Sequence, residues 1–400
     1  MIIYYTLCSL IGFFLVFPWL KVVASRFVRE RKPAAAERQT DFGCIITAYK
    51  NADIAGPLVQ SLLRQKHQNF HIYLVADQCD VSTWTITHPK FSLLHPDPPL
   101  NLKAKSIIYA TERFVRAHEY TVIFDADNLT HPDFLGELNR YTQAGYLAVQ
   151  GQRTAKNLDS AMACADATGE FYKNYVERYV PYLLRSSSVI SGSGMAVETE
   201  LYNSYLYGPE ITRGKEQWKK MLQEDKILQN HLIRRNVRTV YAWDAIVYDE
   251  KVTTTEAVET QRSRWLYSYF QNIPNSLGIL RRGLLGLRWN QLLFGIITIA
   301  PPLFIMLFTA FVLAVVGLFI APWWSLALSV GVFIFALNLL WTLRLSKAPE
   351  PIWKTIWSLP VFVWNQIKAL FKMADPNKNF KHTEHQRPVS IDEVLQDERL

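Results

Sequence analysis

Tyr120-Thr121-Val122-Ile123-Phe124-Asp125-Ala126-Asp127 is the stretch that decides the fold of this chain. A short apolar run that stops at polar residues reads as a buried strand. This one runs without a break into two carboxylates. Like charges two residues apart repel each other unless something positive sits between them. A hard divalent cation that keeps waters and binds substrate phosphates suits the arrangement. Taken alone, the pair also suits a solvated turn or a helix N-cap, since Asn128, Thr130 and Asp133 follow.

Working outward, the pattern repeats. Gly43 to Tyr49 (GCIITAY) is a strand candidate, and a helical stretch follows from Pro57 to Lys66. Phe70 to Ala76 (FHIYLVA) is a second strand, ending at Asp77 with Asp80 beyond it. Leu102 to Ala117 reads as a helix, Pro132 to Thr142 as another, and Tyr146 to Val149 as strand. Strands alternating with helices predict an α/β domain with a mostly parallel sheet. Ligands of such sheets lie at the carboxyl ends of the strands. That is where Tyr49, Asp77, Asp125 and Asp127 fall.

Two further clusters follow. Glu224-Asp225 opens a predicted helix from Lys226 to Arg235. Acidic residues suit a helix N-terminus, and a carboxylate there can also serve as general base for a hydroxyl. Gln261-Arg262-Ser263-Arg264-Trp265 places Gln261 and Arg264 on one helix face. A guanidinium and an amide are good phosphate partners, and an indole can stack on the apolar face of a sugar.

The chain's ends point to a membrane. The chain has 400 residues, half of them apolar, with 12 Trp and a net charge of +8. That composition excludes a disordered or fibrous chain. The four cysteines are too scattered for a disulfide scaffold. Residues 2–20 carry no charge and are long enough to span a bilayer. Lys21, Arg26, Arg29, Arg31 and Lys32 follow, so the positive-inside rule predicts a cytoplasmic continuation. Basic charge after the apolar run, with no cleavage signature, favours an uncleaved anchor over a signal peptide. Residues 292–321 and 325–343 form a second apolar region, read as a hairpin with Pro301-Pro302 inside the first span. Trp353, Ile356, Trp357, Val363, Trp364 and Ile367 form a stripe opposite Lys354, Asn365 and Lys368. That stripe predicts a helix lying in the interface, with a third C-terminal span as its rival. The expected layout is an anchor at 1–25, a basic tether at 26–41 and a cytoplasmic catalytic domain at 42–272. An interfacial segment at 273–291, a hairpin at 292–345, an interfacial helix at 352–373 and a cytoplasmic tail at 374–400 complete it. The basic clusters flank membrane segments, which points to lipid headgroups and away from nucleic acid.

In this order, the motifs resemble the membrane-bound family-2 glycosyltransferases, the group of the cellulose, chitin and hyaluronan synthases. The matching residues are Asp77, Asp125 to Asp127, Glu224-Asp225 and Gln261 to Trp265. Weaker likenesses are Lys103-Ala104, Val149-Gln150-Gly151, Ser191-Gly192-Ser193-Gly194-Met195 and Phe380 to His385. The resemblance implies a GT-A-type, mostly parallel sheet domain between an N-terminal transmembrane helix and C-terminal transmembrane helices. It implies a nucleotide-diphosphate sugar donor, best a UDP-sugar, and inversion at the anomeric carbon. Asp77, with Tyr49 nearby, would hold the base or ribose. Asp127, beside Asp125, would hold Mg2+ or Mn2+, and Lys103 would face the phosphates. Asp225, paired with Glu224, would be the base. Gln261 and Arg264 would steady the leaving diphosphate, while Trp265 and the loop of Gly192 and Gly194 would meet the acceptor.

Some features depart from the family. Gln223 stands where Thr is frequent, and a glycine often found after the Gln-x-x-Arg-Trp motif is missing from LYSYF. The spans are few for a complete secretion channel, so a homo-oligomer or partner would have to supply one. Transfer of one sugar to a lipid-linked acceptor is the alternative to growth of a polysaccharide. A non-catalytic membrane subunit is a further class, opposed by intact Asp127, Asp225 and Arg264. A nucleotidyltransferase would need a Gly-rich loop, and residues 47–57 offer only Gly56.

Overall fold

The computed structural model describes residues 1–209, 211–212, 223–371 and 389–397. Phe380 to His385, and most of the tail at 374–400, lie outside the described residues. By internal contacts the chain divides into two units. One holds Met1–Glu30, Leu158–Ser186 and Val252–Met373; the other holds Arg31–Asn157, Ser187–Lys251 and Ala374–Leu400.

The second unit is built on one eight-stranded sheet. Its strands are β1 (Phe42–Tyr49), β2 (Phe70–Asp77), β3 (Phe91–Leu94), β4 (Tyr120–Asp125), β5 (Leu129–Thr130), β6 (Ala148–Ala155), β7 (Met195–Glu198) and β8 (Thr239–Asp249). Their order across the sheet is β3-β2-β1-β4-β7-β6-β8-β5. β1 pairs in parallel with β2 and β4, and β2 with β3. β7 is antiparallel to β4 and β6, while β6 and β8 run parallel. β2 is buried along its whole length, as expected of a parallel strand covered on both faces. One face packs on the helix Lys103–Thr111 through Ile45, Tyr73, Val75, Ile107 and Ile123.

The register places the motifs. Tyr49 lies opposite Asp77, and Thr47 opposite Asp125. The carboxyl ends of β1, β2 and β4 therefore share one edge.

Among the described residues the other unit carries three helices long and apolar enough to cross a membrane: Ile2–Ser25, Leu303–Ile320 and Pro322–Leu345. They are tied together by Tyr4 Oη donating to the Leu313 carbonyl at 3.0 Å and Ser325 Oγ to that of Ala314 at 2.6 Å. Lys21, expected in the basic flank, sits inside the first helix, buried, and donates to the Val176 carbonyl at 3.0 Å.

Several expectations are corrected. The apolar run 292–321 is not one helix: Trp289–Ile299 ends before Pro301-Pro302, and a new helix starts at Leu303. Two adjacent prolines remove two donors and clash with the preceding turn. Segment 273–291 is no separate element, because the helix Thr255–Leu285 runs through position 272. The interfacial helix 352–373 is split into Glu350–Thr355, a 3-10 turn at Ile356–Ser358 and Leu359–Phe371, with Pro360 at the second start. Among the described residues neither piece reaches the ~20 residues a span requires. The tether is pinned from Lys32 onward, which meets Glu137 at 2.8 Å and Asp244 at 2.5 Å. Past the tail's undescribed part, Ile391–Asp397 is a helix whose Ile391 and Val394 pack on Leu129 and Tyr248.

Candidate active site

Asp77 ends β2 and is buried, yet both of its oxygens are used. Oδ1 accepts from the Leu100 amide at 2.9 Å and Oδ2 from the Asn101 amide at 2.7 Å. The carboxylate thus clamps the loop that enters the helix of Lys103. Tyr49 Oη and Gln78 Nε2 both reach Asn101 Oδ1, at 3.3 and 2.8 Å. Lys50, Gln78 and Asn101 all take positive φ, at 65°, 56° and 56°. Lys50 and Gln78 follow the ends of β1 and β2, and Asn101 precedes the helix of Lys103; a backbone bent this way is costly for non-glycine residues, and such strain gathers at functional sites.

Lys103 stands at the first turn of its helix. Its Nζ donates to Asp125 Oδ1 at 2.6 Å and to the Gly192 carbonyl at 3.3 Å, and lies 3.7 Å from Glu224 Oε1. One ammonium therefore joins the Asp-x-Asp, the glycine loop and the Glu-Asp pair. Burial alone would lower its pKa. The Asp125 and Glu224 carboxylates overcome that, and the net direction is upward. Glu224 is shifted upward as well: burial, with Lys103 opposing and Asp225 adding, pushes its pKa up to about 7.

Asp225 accepts from the Lys226 amide at 2.8 Å. A Cβ on Gly192 would lie 3.9 Å from Asp225 Oδ2, so this loop passes directly beside the acidic pair. Gly192 and Gly194 have φ of +84° and +63°. The loop is held by Gln150, wholly buried, which donates to the Ser193 carbonyl at 3.0 Å and accepts from the Ser191 amide at 3.0 Å.

Asp127 is buried, and Asn128 donates to its Oδ1 at 3.4 Å. Asn128 also reaches Asp249 Oδ1 at 3.3 Å, and Lys251 Nζ meets Asp249 Oδ2 at 3.0 Å. Lys156 Nζ donates to the Asp127 carbonyl at 3.4 Å. Burial lowers the Lys156 pKa, with Glu250 and Asp127 opposing. Sequence reasoning missed Gln150 as a brace, and it missed Lys156, Asp249 and Lys251. The one available signal was charge at or just past the ends of apolar stretches that follow Asp-x-Asp in the chain.

Asp125 and Asp127 furnish hard oxygen donors, as Mg2+ or Mn2+ requires. Among the described residues no group of three His, Cys, Asp or Glu could by itself enclose an ion. This donor set fits an ion that fills its remaining positions from phosphate and water.

Gln261, Arg264 and Trp265 belong to the other unit, on the helix Thr255–Leu285. There Arg262 pairs with Asp166 and lies 4.3 Å from the Trp265 ring centroid, with Lys173 Nζ at 5.4 Å. Trp265 remains 39% exposed, open to a partner. Burial lowers the Arg264 pKa.

A curled, mostly parallel sheet with acidic motifs at its carboxyl edge defines a GT-A-type fold. Residues 39–268 match the family model described as "Glycosyltransferase like family 2", more than half of the chain, and the protein belongs to that family. Its apolar helices are those of a membrane-associated member. Among solved structures, a mannosyltransferase from Pyrobaculum calidifontis in complex with GDP-Man and Mn2+ is similar over 92% of this chain and 100% of that one, at 15% identity and a TM-score of 0.51. TarS 1-349 of S. aureus in complex with UDP aligns over 60% of this chain and 65% of that one, at 13% identity and a TM-score of 0.39. No curated protein matches the sequence.

Proposed function

We propose that this protein is an inverting glycosyltransferase that moves a sugar from a nucleoside-diphosphate donor to a hydroxyl of a glycan or lipid-linked acceptor. The observation that carries the proposal is Lys103 Nζ, which ties Asp125, Gly192 and Glu224 into one cluster. The base and ribose sit at the ends of β1 and β2, against Tyr49 and the loop clamped by Asp77. Asp127, with Asp125, would hold Mg2+ or Mn2+, which supplies positive charge to the diphosphate when bound. The Mn2+ and GDP-Man of the mannosyltransferase support a metal and a nucleotide-sugar donor. Lys103 faces the same phosphates and stabilises the charge that develops as they leave.

Asp225 takes the proton of the acceptor hydroxyl. The hydroxyl oxygen forms a bond to the anomeric carbon, and the electron pair of the old glycosidic bond departs with the nucleoside diphosphate. A single displacement of this kind inverts the carbon and uses no covalent intermediate. The motif likeness assigns Gln261 and Arg264 to the leaving diphosphate and Trp265 to the acceptor sugar. The basic run from Arg26 to Lys32 supports a catalytic unit facing the cytoplasm.

The test is release of nucleoside diphosphate by the full-length protein in membranes. UDP-glucose, UDP-N-acetylglucosamine, UDP-galactose, UDP-glucuronate and GDP-mannose are supplied with Mg2+ or Mn2+. One donor is turned over only with metal, and Asp225→Asn slows release by about 10²–10⁴-fold while donor binding persists. Equal release by Asp225→Asn sinks the assignment of the base. Absence of nucleotide binding sinks the function.

A further inference from the structure

The helix Thr255–Leu285 and the helix Trp289–Ile299 form a hairpin. They approach so closely that a Cβ on Gly295 would lie 2.7 Å from the Leu280 Cα. At the tip the chain turns through Leu287, with φ of 49°. A pocket of about 580 Å³ opens there, lined by Arg281, Arg282, Arg288, Leu285 and Gln291 among others.

Two features of this tip are out of place in water. Leu284, Leu285, Leu287 and Trp289, within six residues of one another in the chain, are all exposed, Leu287 to 92%. Exposed apolar side chains concentrated in this way mark an interaction site. The three arginines around it meet no carboxylate among the described residues. Their own stretch of sequence holds no Asp or Glu from residue 260 to residue 349. The same unit holds all three candidate membrane spans.

We propose that this pocket binds the phosphate of an anionic membrane lipid. The arginines would supply positive charge and N–H donors to the phosphate oxygens. Leu285, Leu287 and Trp289 would enter the headgroup and upper acyl layer, a depth that Trp favours. The inference is independent of the transferase reading.

Native mass spectrometry of the full-length protein, titrated in detergent with phosphatidylglycerol or phosphatidylcholine, reads the site directly. Each basic side chain near an anionic surface contributes about a fivefold preference, so R281Q/R282Q/R288Q weakens phosphatidylglycerol retention by about a hundredfold. Phosphatidylcholine is held weakly by both forms, and R281K/R282K/R288K retains phosphatidylglycerol because the charge is kept. The lysine form also covers the case in which the glutamine variant fails to fold. Unchanged retention by the glutamine variant, or its loss in the lysine variant, overturns the proposal. So does full competition by inorganic phosphate, which would make the ligand a free anion. A dimer formed through this tip that excludes lipid overturns it as well.

Discussion

At the scale of single residues, Glu224 offers the sharpest test. Its carboxyl is pushed up to about 7, first by burial and then by Asp225. Below about pH 7 it carries a proton, and above it the acidic pair beside the Gly192 loop gains a negative charge. The expected profile of kcat/KM rises through pH 7, and Glu224→Gln removes that rise. A profile that keeps its inflection in the variant places the titrating group elsewhere. Gly192→Ala is the companion change. An L-residue at φ +84° is strained by about 1–2 kcal/mol, while its Cβ would meet Asp225 only at ordinary contact distance. Reduced kcat with little change in donor affinity is expected, because the strain lies beside the acidic pair. The motifs themselves were legible as residues; the joint contact through Lys103 was not, because Lys103 and Glu224 are far apart in sequence.

At the scale of elements, legibility followed the length of the apolar run. β1, β2 and β4 were readable because a strand buried on both faces is apolar throughout. β7 was not, since Met195–Glu198 is only four residues long and acquires its identity from pairing with β4 and β6. β8 was missed as well, for its run is interrupted by Trp243 and Asp244 where the register to β6 shifts. Helices were overextended at their ends, as with Lys103–Thr111, where the following turn breaks the pattern. The glycine loop depends on Gln150, whose amide is its internal brace. Gln150→Leu leaves buried loop carbonyls without a donor at about 1–3 kcal/mol. A lower thermal midpoint in detergent, together with lost turnover, is the expected result. An unchanged midpoint would show that the loop holds itself.

For the whole molecule, two measurements address stability and membrane residence. His71 is buried beside Tyr73 and bonds Ser92 Oγ at 2.9 Å; burial first, then Arg116 and His118, lower its pKa to about 4. The unfolded chain binds that proton near 6.5, so it takes up protons before the folded one does. Stability is full above pH 6.5 and falls as pH drops toward 4, by no more than about 3 kcal/mol for this group. His71→Gln flattens that part of the curve of thermal midpoint against pH. The three apolar helices predict that the chain stays with membranes through an alkaline carbonate wash; release into the supernatant would show that they do not span.

Taken by itself, the sequence determined the class of sheet, the family, the presence of membrane helices and the identity of the acidic motifs. These properties are local, written in runs and spacings of a few residues. Only the tertiary structure decided which charges meet. It joined Lys103 to Asp125, Glu224 and Gly192, buried Lys156 and Lys251 around Asp127 and Asp249, and broke the second apolar region at Pro301-Pro302. Burial and pairing are long-range, and the energy of an ionised group depends on its neighbours in space far more than on its neighbours in the chain.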